Sequence, residues 1–145
     1  MLNCEVEAIR LLALLGAGTG VYYLHGAIDG VRGLQSDAMN ELFRQILRLV
    51  EGGEVKISDH GYDEMAADGL YVRDVIGSVL DAVVIEEYPD YAKGPCVLVL
   101  QKDRRGEPIH VVWGIPKGKS EPAVLVTAYK PDPQRWEPGF TRRKK

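Results

Sequence analysis

Two histidines occupy positions from which a side chain can transfer protons. His60 follows Ser58-Asp59, a pattern that places it in the first turn of a helix. His110 lies in the strand-like run Ile109–Trp113, where it alternates with the bulky apolar residues. Histidine titrates close to neutral pH, so each can act as a general acid or base. Each also has a structural interpretation: a surface residue at a helix start for His60, and a strand residue held by a backbone hydrogen bond for His110.

Arginines and a tyrosine complete a set of side chains that RNA cleavage without a metal would use. That reaction needs a base for the 2′-hydroxyl, an acid for the leaving 5′-oxygen, and cations for the charge that develops on phosphate. Arginine binds phosphate through two parallel N–H groups. The candidates are His60 and His110 for proton transfer, Tyr129 for stacking or hydrogen bonding, and, for phosphate, Arg104, Arg105, Arg142 and Arg143. Arg104-Arg105-Gly106 has a second interpretation, a charged hairpin turn.

The sequence predicts neither a metal site nor a cofactor. Cys4 and Cys96 are too few and too far apart for a zinc ribbon or a disulfide framework, and no third ligand joins the histidines at a zinc-like spacing. Cys96 lies in a strand pattern, where a buried reduced thiol is expected, and this favours the cytoplasm. The run Gly16–Gly20 is not a dinucleotide-binding motif, because Val21 breaks the glycine spacing and no strand precedes it.

The charge of the chain is divided unevenly along its length. The 145 residues are 46% hydrophobic and 27% charged, which is typical of a globular protein of one domain. Residues 1–99 hold 7 Lys/Arg and 16 Asp/Glu, whereas residues 100–145 hold 11 and 5. This division is what a protein with one side facing a polyanion would have, and it is equally compatible with a solvated surface and a charged tail.

Helices are predicted before strands, so the fold class is α+β with N-terminal helices packed on an antiparallel sheet. Apolar spacing and capping residues predict helices at 36–50, 58–68 and 72–81, with Val55–Ile57 as a short extended segment. Four strands are then predicted at Ala82–Tyr88, Cys96–Lys102, Ile109–Ile115 and Ala123–Lys130. Trp136 is expected to anchor the final segment, and residues 141–145 are expected to be mobile unless a partner orders them.

The first 38 residues are interpreted as an N-terminal extension of a domain that spans residues 39–145. Met39 would be a normal start for such a domain, so an upstream start assigned wrongly is the alternative. A membrane span is not predicted, because Arg10, His25 and several glycines interrupt the apolar run. A signal peptide is not predicted either, because Glu5 and Glu7 stand where basic residues belong.

Several motifs, in order, resemble a widespread bacterial family known as a domain of unknown function. The resemblance covers roughly Met39 to Arg143 and is carried by Ser58–Met65, Val84–Pro89, Gly94–Leu98, Pro108–Trp113, Val126–Pro133 and Trp136. The family is similar in element order to RelE- and barnase-like ribonucleases, in which helices precede a four-stranded antiparallel sheet. Its members tend to be encoded beside small zinc-ribbon proteins that look like antitoxins.

The resemblance implies a toxin-like, metal-independent endoribonuclease of the mRNA interferase type. Its partners would be RNA, free or on the ribosome, and a cognate antitoxin, with no membrane involved. The polar positions that match the family pattern are Ser58, His60, His110, Thr127, Tyr129 and Arg143. Asp68-Gly69-Leu70 departs from it, since many relatives have Arg-Gly-Ile there. The alternatives are a non-catalytic module that binds protein or nucleic acid through the same basic edge, and a metal-dependent hydrolase, which the lack of ligands disfavours.

Overall fold

The computed structural model describes residues 41–145. The proposed N-terminal extension, the glycine run Gly16–Gly20 and the expected helix cap at Ser36 lie outside the described residues. Within the described part, no helix has the length and apolar character that crossing a membrane requires.

The described helices are short and precede most of the sheet. They are α1 at residues 41–51, α2 at Asp59–Ala67, α3 at Val72–Gly77, and a 3₁₀ helix at Val79–Asp81. Ser58 caps α2 as expected, since its Oγ accepts a hydrogen bond from Gly61 N at 2.8 Å. The helix predicted over residues 72–81 is divided at Ser78, where the chain changes from α to 3₁₀ geometry.

The sheet has five strands, one more than predicted. They are β1 at Val55–Ile57, β2 at Val83–Tyr88, β3 at Cys96–Lys102, β4 at Pro108–Gly114 and β5 at Ala123–Tyr129. Their order is β1-β5-β4-β3-β2, with β2 to β5 antiparallel to their neighbours and β1 parallel to β5. The prediction of a four-stranded, purely antiparallel sheet was therefore wrong. A three-residue segment has no readable periodicity, and its partner lies 68 residues away in the chain (Val55 pairs with Ala123).

Both faces of the sheet are covered. The helices pack on one face, where the buried side chains of β4 are Ile109, Val111 and Trp113. On the other face, Leu98 and Val112 pack with Trp136 from the C-terminal segment. The helices alone were expected to cover the sheet, and burial on both faces explains why β3 and β4 are apolar at nearly every position.

Candidate active site

A cavity of about 460 Å³ opens on the face of the sheet that carries the C-terminal segment. Its floor contains Cys96, Gly114 and Val124, which are register neighbours on β3, β4 and β5. Because neighbouring strands lie about 4.8 Å apart, this floor is roughly 10 Å wide. The β2–β3 loop forms the wall beside β3, and the start of α2 forms the wall beside β5. The floor is apolar, and polar side chains stand on the two walls.

Two glycines keep this cavity open and shape its loop wall. A side chain at Gly114 would bring its Cβ to 3.1 Å from the Cβ of Cys96. Gly94 has a φ of +131°, and a Cβ there would meet the carbonyl oxygen of Ile115 and lie 2.6 Å from Lys117 N. The loop closes further through the bond from Lys117 N to Lys93 O at 2.9 Å. The β2–β3 loop is thus attached to the chain that follows β4.

The opposite wall is set by the first turn of α2. Ser58 Oγ donates a hydrogen bond to Val126 O at 2.7 Å, which ties the helix start to the edge of β5. A Cβ at Gly61 would come within 3.0 Å of the same carbonyl oxygen, so only glycine allows this approach without a shift. The helix start is therefore held in a fixed position, and His60 lines the cavity from it.

His60 is paired with a buried carboxyl group. Its Nε2 lies 2.8 Å from Glu64 Oε1, one turn further along α2. The His60 side chain is 43% exposed, whereas the Glu64 side chain is 1% exposed. Burial, with the charge of Asp68, raises the pKa of Glu64 to about 7. A buried carboxyl group that titrates near neutral pH therefore lies next to the histidine that lines the cavity.

The other wall carries Tyr91 and Lys93. Burial raises the pKa of Tyr91, so its phenol keeps its proton at neutral pH. Lys93 is exposed and is the cation among the residues that line the cavity. In the floor, burial raises the pKa of the Cys96 thiol to about 12, so this free cysteine is not a nucleophile at neutral pH. The predicted buried, reduced state of Cys96 agrees with this environment.

A sequence model of one protein family matches residues 57–130, about half of the chain, under the description "Domain of unknown function (DUF4258)". The chain belongs to the DUF4258 family. The matched residues include both walls and the whole floor of the cavity, and they end before Trp136. No curated protein and no solved structure matched the chain in the same comparisons. These comparisons do not test the expected likeness to RelE- and barnase-like toxins, which stays a prediction.

His110, the other histidine that was predicted to transfer protons, is buried in this DUF4258 protein and does not line the cavity. His110 is 0% exposed and donates from Nε2 to Phe140 O at 2.8 Å. Its ring makes edge contacts with Tyr129 and Trp136, at centroid distances of 5.4 and 4.3 Å. Burial lowers the pKa of His110 to about 4, so the ring is neutral at pH 7. Thr127 and Tyr129 are also buried, which places three of the predicted site residues beneath the C-terminal segment.

The predicted phosphate ligands lie in two other parts of the molecule, the C-terminal segment and the β3–β4 hairpin. Arg143 donates to both carboxylate oxygens of the buried Glu86, at 2.7 and 3.0 Å. Arg142, next to it, is exposed. Arg104 and Arg105 lie in the β3–β4 hairpin, where Arg104 Nε donates to Asp74 Oδ2 at 2.8 Å. The structure thus separates the predicted set: of the residues proposed for proton transfer and phosphate binding, His60 alone lines the cavity, beside Ser58 of the family pattern.

Two cavity residues, Tyr91 and Lys93, were not singled out from the sequence, and neither was Glu64, the buried partner of His60. The four-residue spacing of His60 and Glu64 on a helix was a readable signal, because such residues are neighbours on the helix surface. Nothing in the sequence placed the β2–β3 loop opposite α2. Asp68 accepts a hydrogen bond from Lys130 N at 2.9 Å and contributes to the raised pKa of Glu64.

Within residues 41–145, no group of three His, Cys, Asp or Glu side chains is arranged to hold a metal ion.

Proposed function

We propose that this DUF4258 protein is a metal-independent endoribonuclease whose active site is the cavity between α2 and the β2–β3 loop. The observation that carries the proposal is the His60–Glu64 pair at 2.8 Å, with one member exposed in the cavity and the other buried behind it. Perturbed titratable groups that line a cleft are typical of functional sites. The proposal keeps the proton-transfer role that was predicted for His60 and assigns no catalytic role to His110.

His60 acts as the general base in the proposed reaction. It removes the proton from the RNA 2′-hydroxyl, and the 2′-oxygen attacks the adjacent phosphorus. The bond from phosphorus to the 5′-oxygen breaks, leaving a 2′,3′-cyclic phosphate and a 5′-hydroxyl end. Glu64 holds the imidazole in place and stabilises its charged form, as a buried carboxylate does for catalytic histidines in other enzymes.

The opposite wall supplies the remaining groups. The Lys93 ammonium balances the negative charge that develops on the phosphate oxygens. Tyr91, whose phenol is protonated at neutral pH, donates a proton to the departing 5′-oxygen. With walls about 10 Å apart, a phosphate can lie between His60 and Lys93 while a nucleobase rests on the apolar floor.

A fluorogenic single-stranded RNA oligonucleotide, assayed in EDTA, tests the proposal. We expect His60→Ala to lower the cleavage rate by about 10²- to 10⁴-fold, the usual contribution of general acid–base catalysis. Lys93→Gln should also be slow, and mass spectrometry should find 2′,3′-cyclic phosphate ends. His110→Gln, assayed per folded molecule, is the matched control and should stay close to wild type. Cleavage by His60→Ala at the wild-type rate, or inactivation of the wild type by EDTA, would refute this mechanism.

The expected toxicity is tested separately in bacterial cells. Induced expression of the wild type should arrest growth and degrade RNA, whereas His60→Ala should be tolerated. Co-expression of a small zinc-ribbon partner protein, the type implied by the family resemblance, should relieve the arrest.

A non-catalytic binding module is the second candidate, because one edge of the sheet presents apolar surface. In the described part of the chain, β2 is the last strand on its side of the sheet. Val83 at its start is 54% exposed, and Leu80 just before it is 60% exposed. An open strand edge can accept a strand from a partner protein. Growth arrest that persists in His60→Ala but is lost in Val83→Lys would favour this candidate over the nuclease.

A further inference from the structure

A second cavity, of about 230 Å³, lies between the C-terminal end of α2, the start of α3 and the β3–β4 hairpin. Tyr71 lines it and is 60% exposed, an unusual position for a large aromatic side chain. Tyr71 occupies the N-cap position of α3, but its side chain makes no capping hydrogen bond. Helix capping therefore does not explain a tyrosine at this position.

Tyr71 is held in a fixed orientation by Arg104. The Arg104 guanidinium lies over the tyrosine ring, with its Cζ 4.5 Å from the ring centroid. Asp74 in turn fixes the guanidinium through the 2.8 Å bond to Nε. One face of the ring is thus covered by a side chain whose charge is already balanced, while Tyr71 as a whole is 60% exposed.

The other acidic groups of this cavity are also engaged. Asp68 Oδ2 accepts from Lys130 N, and Asp103 Oδ1 accepts from Arg105 N and Glu107 N at 2.8 and 2.9 Å. In contrast, the side chains of Arg105 and Lys130 are exposed and have no ion-pair partner among residues 41–145. The cavity therefore combines a held aromatic ring with two available cations.

We propose that this second cavity is a subsite for one nucleotide of a single-stranded RNA, whose base stacks on the open face of Tyr71. Its phosphate contacts Arg105 and Lys130, and the remaining acceptor positions of the aspartates bind N–H groups of the base. Stacking platforms next to cations are the general means by which proteins bind single strands. The subsite rests on the proposed function, since it extends the RNA site at His60.

Helix α2 connects the two sites. His60 lines the first cavity from one end of the helix, and Asp68 lines the second just beyond the other end. The helix has nine residues, so its ends are about 13 Å apart. In the proposed arrangement a strand of a few nucleotides spans this distance, whereas a dinucleotide occupies the first cavity alone.

Fluorescence anisotropy with 2′-O-methyl RNA, which cannot be cleaved by 2′-hydroxyl attack, tests the subsite in the full-length protein. The probes are a hexanucleotide and a dinucleotide. We expect Tyr71→Ala to weaken hexanucleotide binding by on the order of tenfold or more, with dinucleotide binding unchanged. Tyr71→Trp should retain wild-type affinity. Arg105→Ala with Lys130→Ala should reduce the salt dependence of hexanucleotide binding.

Tyr62→Ala is the matched control, because Tyr62 is 52% exposed on α2 and lines neither cavity. The subsite is refuted if Tyr71→Ala binds the hexanucleotide like wild type, if Tyr62→Ala is equally weak, or if the wild type does not bind the hexanucleotide. Failure of the proposed function looks different: Tyr71-dependent binding would persist while unmodified RNA is not cleaved. Conversely, His60-dependent cleavage whose KM for long RNA is unchanged in Tyr71→Ala would refute the subsite alone.

Discussion

His60 Nε2 lies 2.8 Å from Glu64 Oε1, which brings an exposed imidazole against a buried carboxyl group of α2 whose pKa is raised to about 7. Because its pKa lies near 7, Glu64 is largely protonated and neutral below neutral pH. This allows a carboxyl group that is 1% exposed to remain in the fold, since an isolated buried charge would be costly.

The raised pKa of Glu64 predicts that the stability of the fold depends on pH, and Glu64→Gln should remove this dependence. The pKa of Glu64 is about 7 in the folded protein and 4.5 as its ordinary value, so folding favours the protonated form. The resulting stability is fully present below pH 4.5 and is lost as pH rises through 7. Relative to wild type, Glu64→Gln should gain on the order of 2 kcal/mol between pH 4.5 and pH 8. Denaturant unfolding measures this, with the exposed Asp63→Asn as control. A pH-independent difference between Glu64→Gln and wild type would show that Glu64 is not titrating.

His110 should have the opposite pH dependence. Its pKa is lowered from 6.5 to about 4, so folding favours the neutral ring. The stability from this shift is present above pH 6.5 and is lost as pH falls through 4. Its size is about 3 kcal/mol at most, and between pH 4.5 and 6.5 it offsets the effect of Glu64. We expect His110→Gln to be less stable than wild type at pH 7 and the deficit to shrink at pH 4. Urea unfolding of both proteins between pH 4 and pH 7 measures this difference. A stability deficit of His110→Gln that does not change with pH would contradict the lowered pKa of His110.

Much of the fold was readable because it depends on local signals. Ser58 as a helix cap and Gly69, with its φ of +67°, at the end of α2 need only a few neighbouring residues. The strands β2 to β5 are marked by β-branched runs between turns. What the sequence could not reveal depends on distant pairs: β1 needs β5, and Trp136, which was expected to anchor the final segment, does so on a second face of the sheet, against Leu98 and Val112.

The site was less readable than the fold for the same reason. His60 was identified from its type and position, and its partner Glu64 was within reach of helical spacing. For His110 the sequence allowed proton transfer or a strand position held by a backbone hydrogen bond; in the structure Phe140, 30 residues later, accepts that hydrogen bond, and the ring is buried. Strand alternation cannot show whether a polar residue faces solvent or a returning chain. Tyr91 and Lys93 depend on a loop whose position is fixed by contacts with residues 115–117.

Gly94 should be the most sensitive glycine of the cavity wall. A Cβ at this position would collide with backbone atoms of Ile115 and Lys117, which cannot move aside as a flexible side chain can. We expect Gly94→Ala to cost several kcal/mol or to displace Tyr91 and Lys93. Gly106→Ala is the matched control: its φ is also positive, at +81°, but no atom lies within 4 Å of the added Cβ. That change should cost only about 1 kcal/mol of backbone strain. Thermal unfolding measures the stability of the two variants, and RNA cleavage measures the effect on the cavity wall. Equal results for Gly94→Ala and Gly106→Ala would show that the close backbone contacts of Gly94 are not important.

Arg143 should act mainly by anchoring the C-terminal segment, in contrast to its predicted role as a phosphate ligand. It forms two hydrogen bonds with Glu86, which is 2% exposed, and its guanidinium lies 4.8 Å from the centroid of the Trp136 ring. Removing Arg143 leaves a buried carboxylate without its cation. Because the arginine itself is 33% exposed, we expect Arg143→Ala to cost about 2–3 kcal/mol, somewhat less than for a fully buried pair.

The consequences of Arg143→Ala should be local and measurable. Hydrogen exchange should accelerate at the amides of Glu137 and Lys144, which donate to Arg142 O and Arg135 O. Arg142→Ala, at the exposed neighbouring position, should change neither exchange nor stability. The double variant Glu86→Leu/Arg143→Leu should recover much of the stability, since replacing both members of a buried pair by apolar residues is often neutral. If Arg143→Ala instead weakens RNA binding without loss of stability, the phosphate role predicted for Arg143 would be correct and the anchoring role wrong.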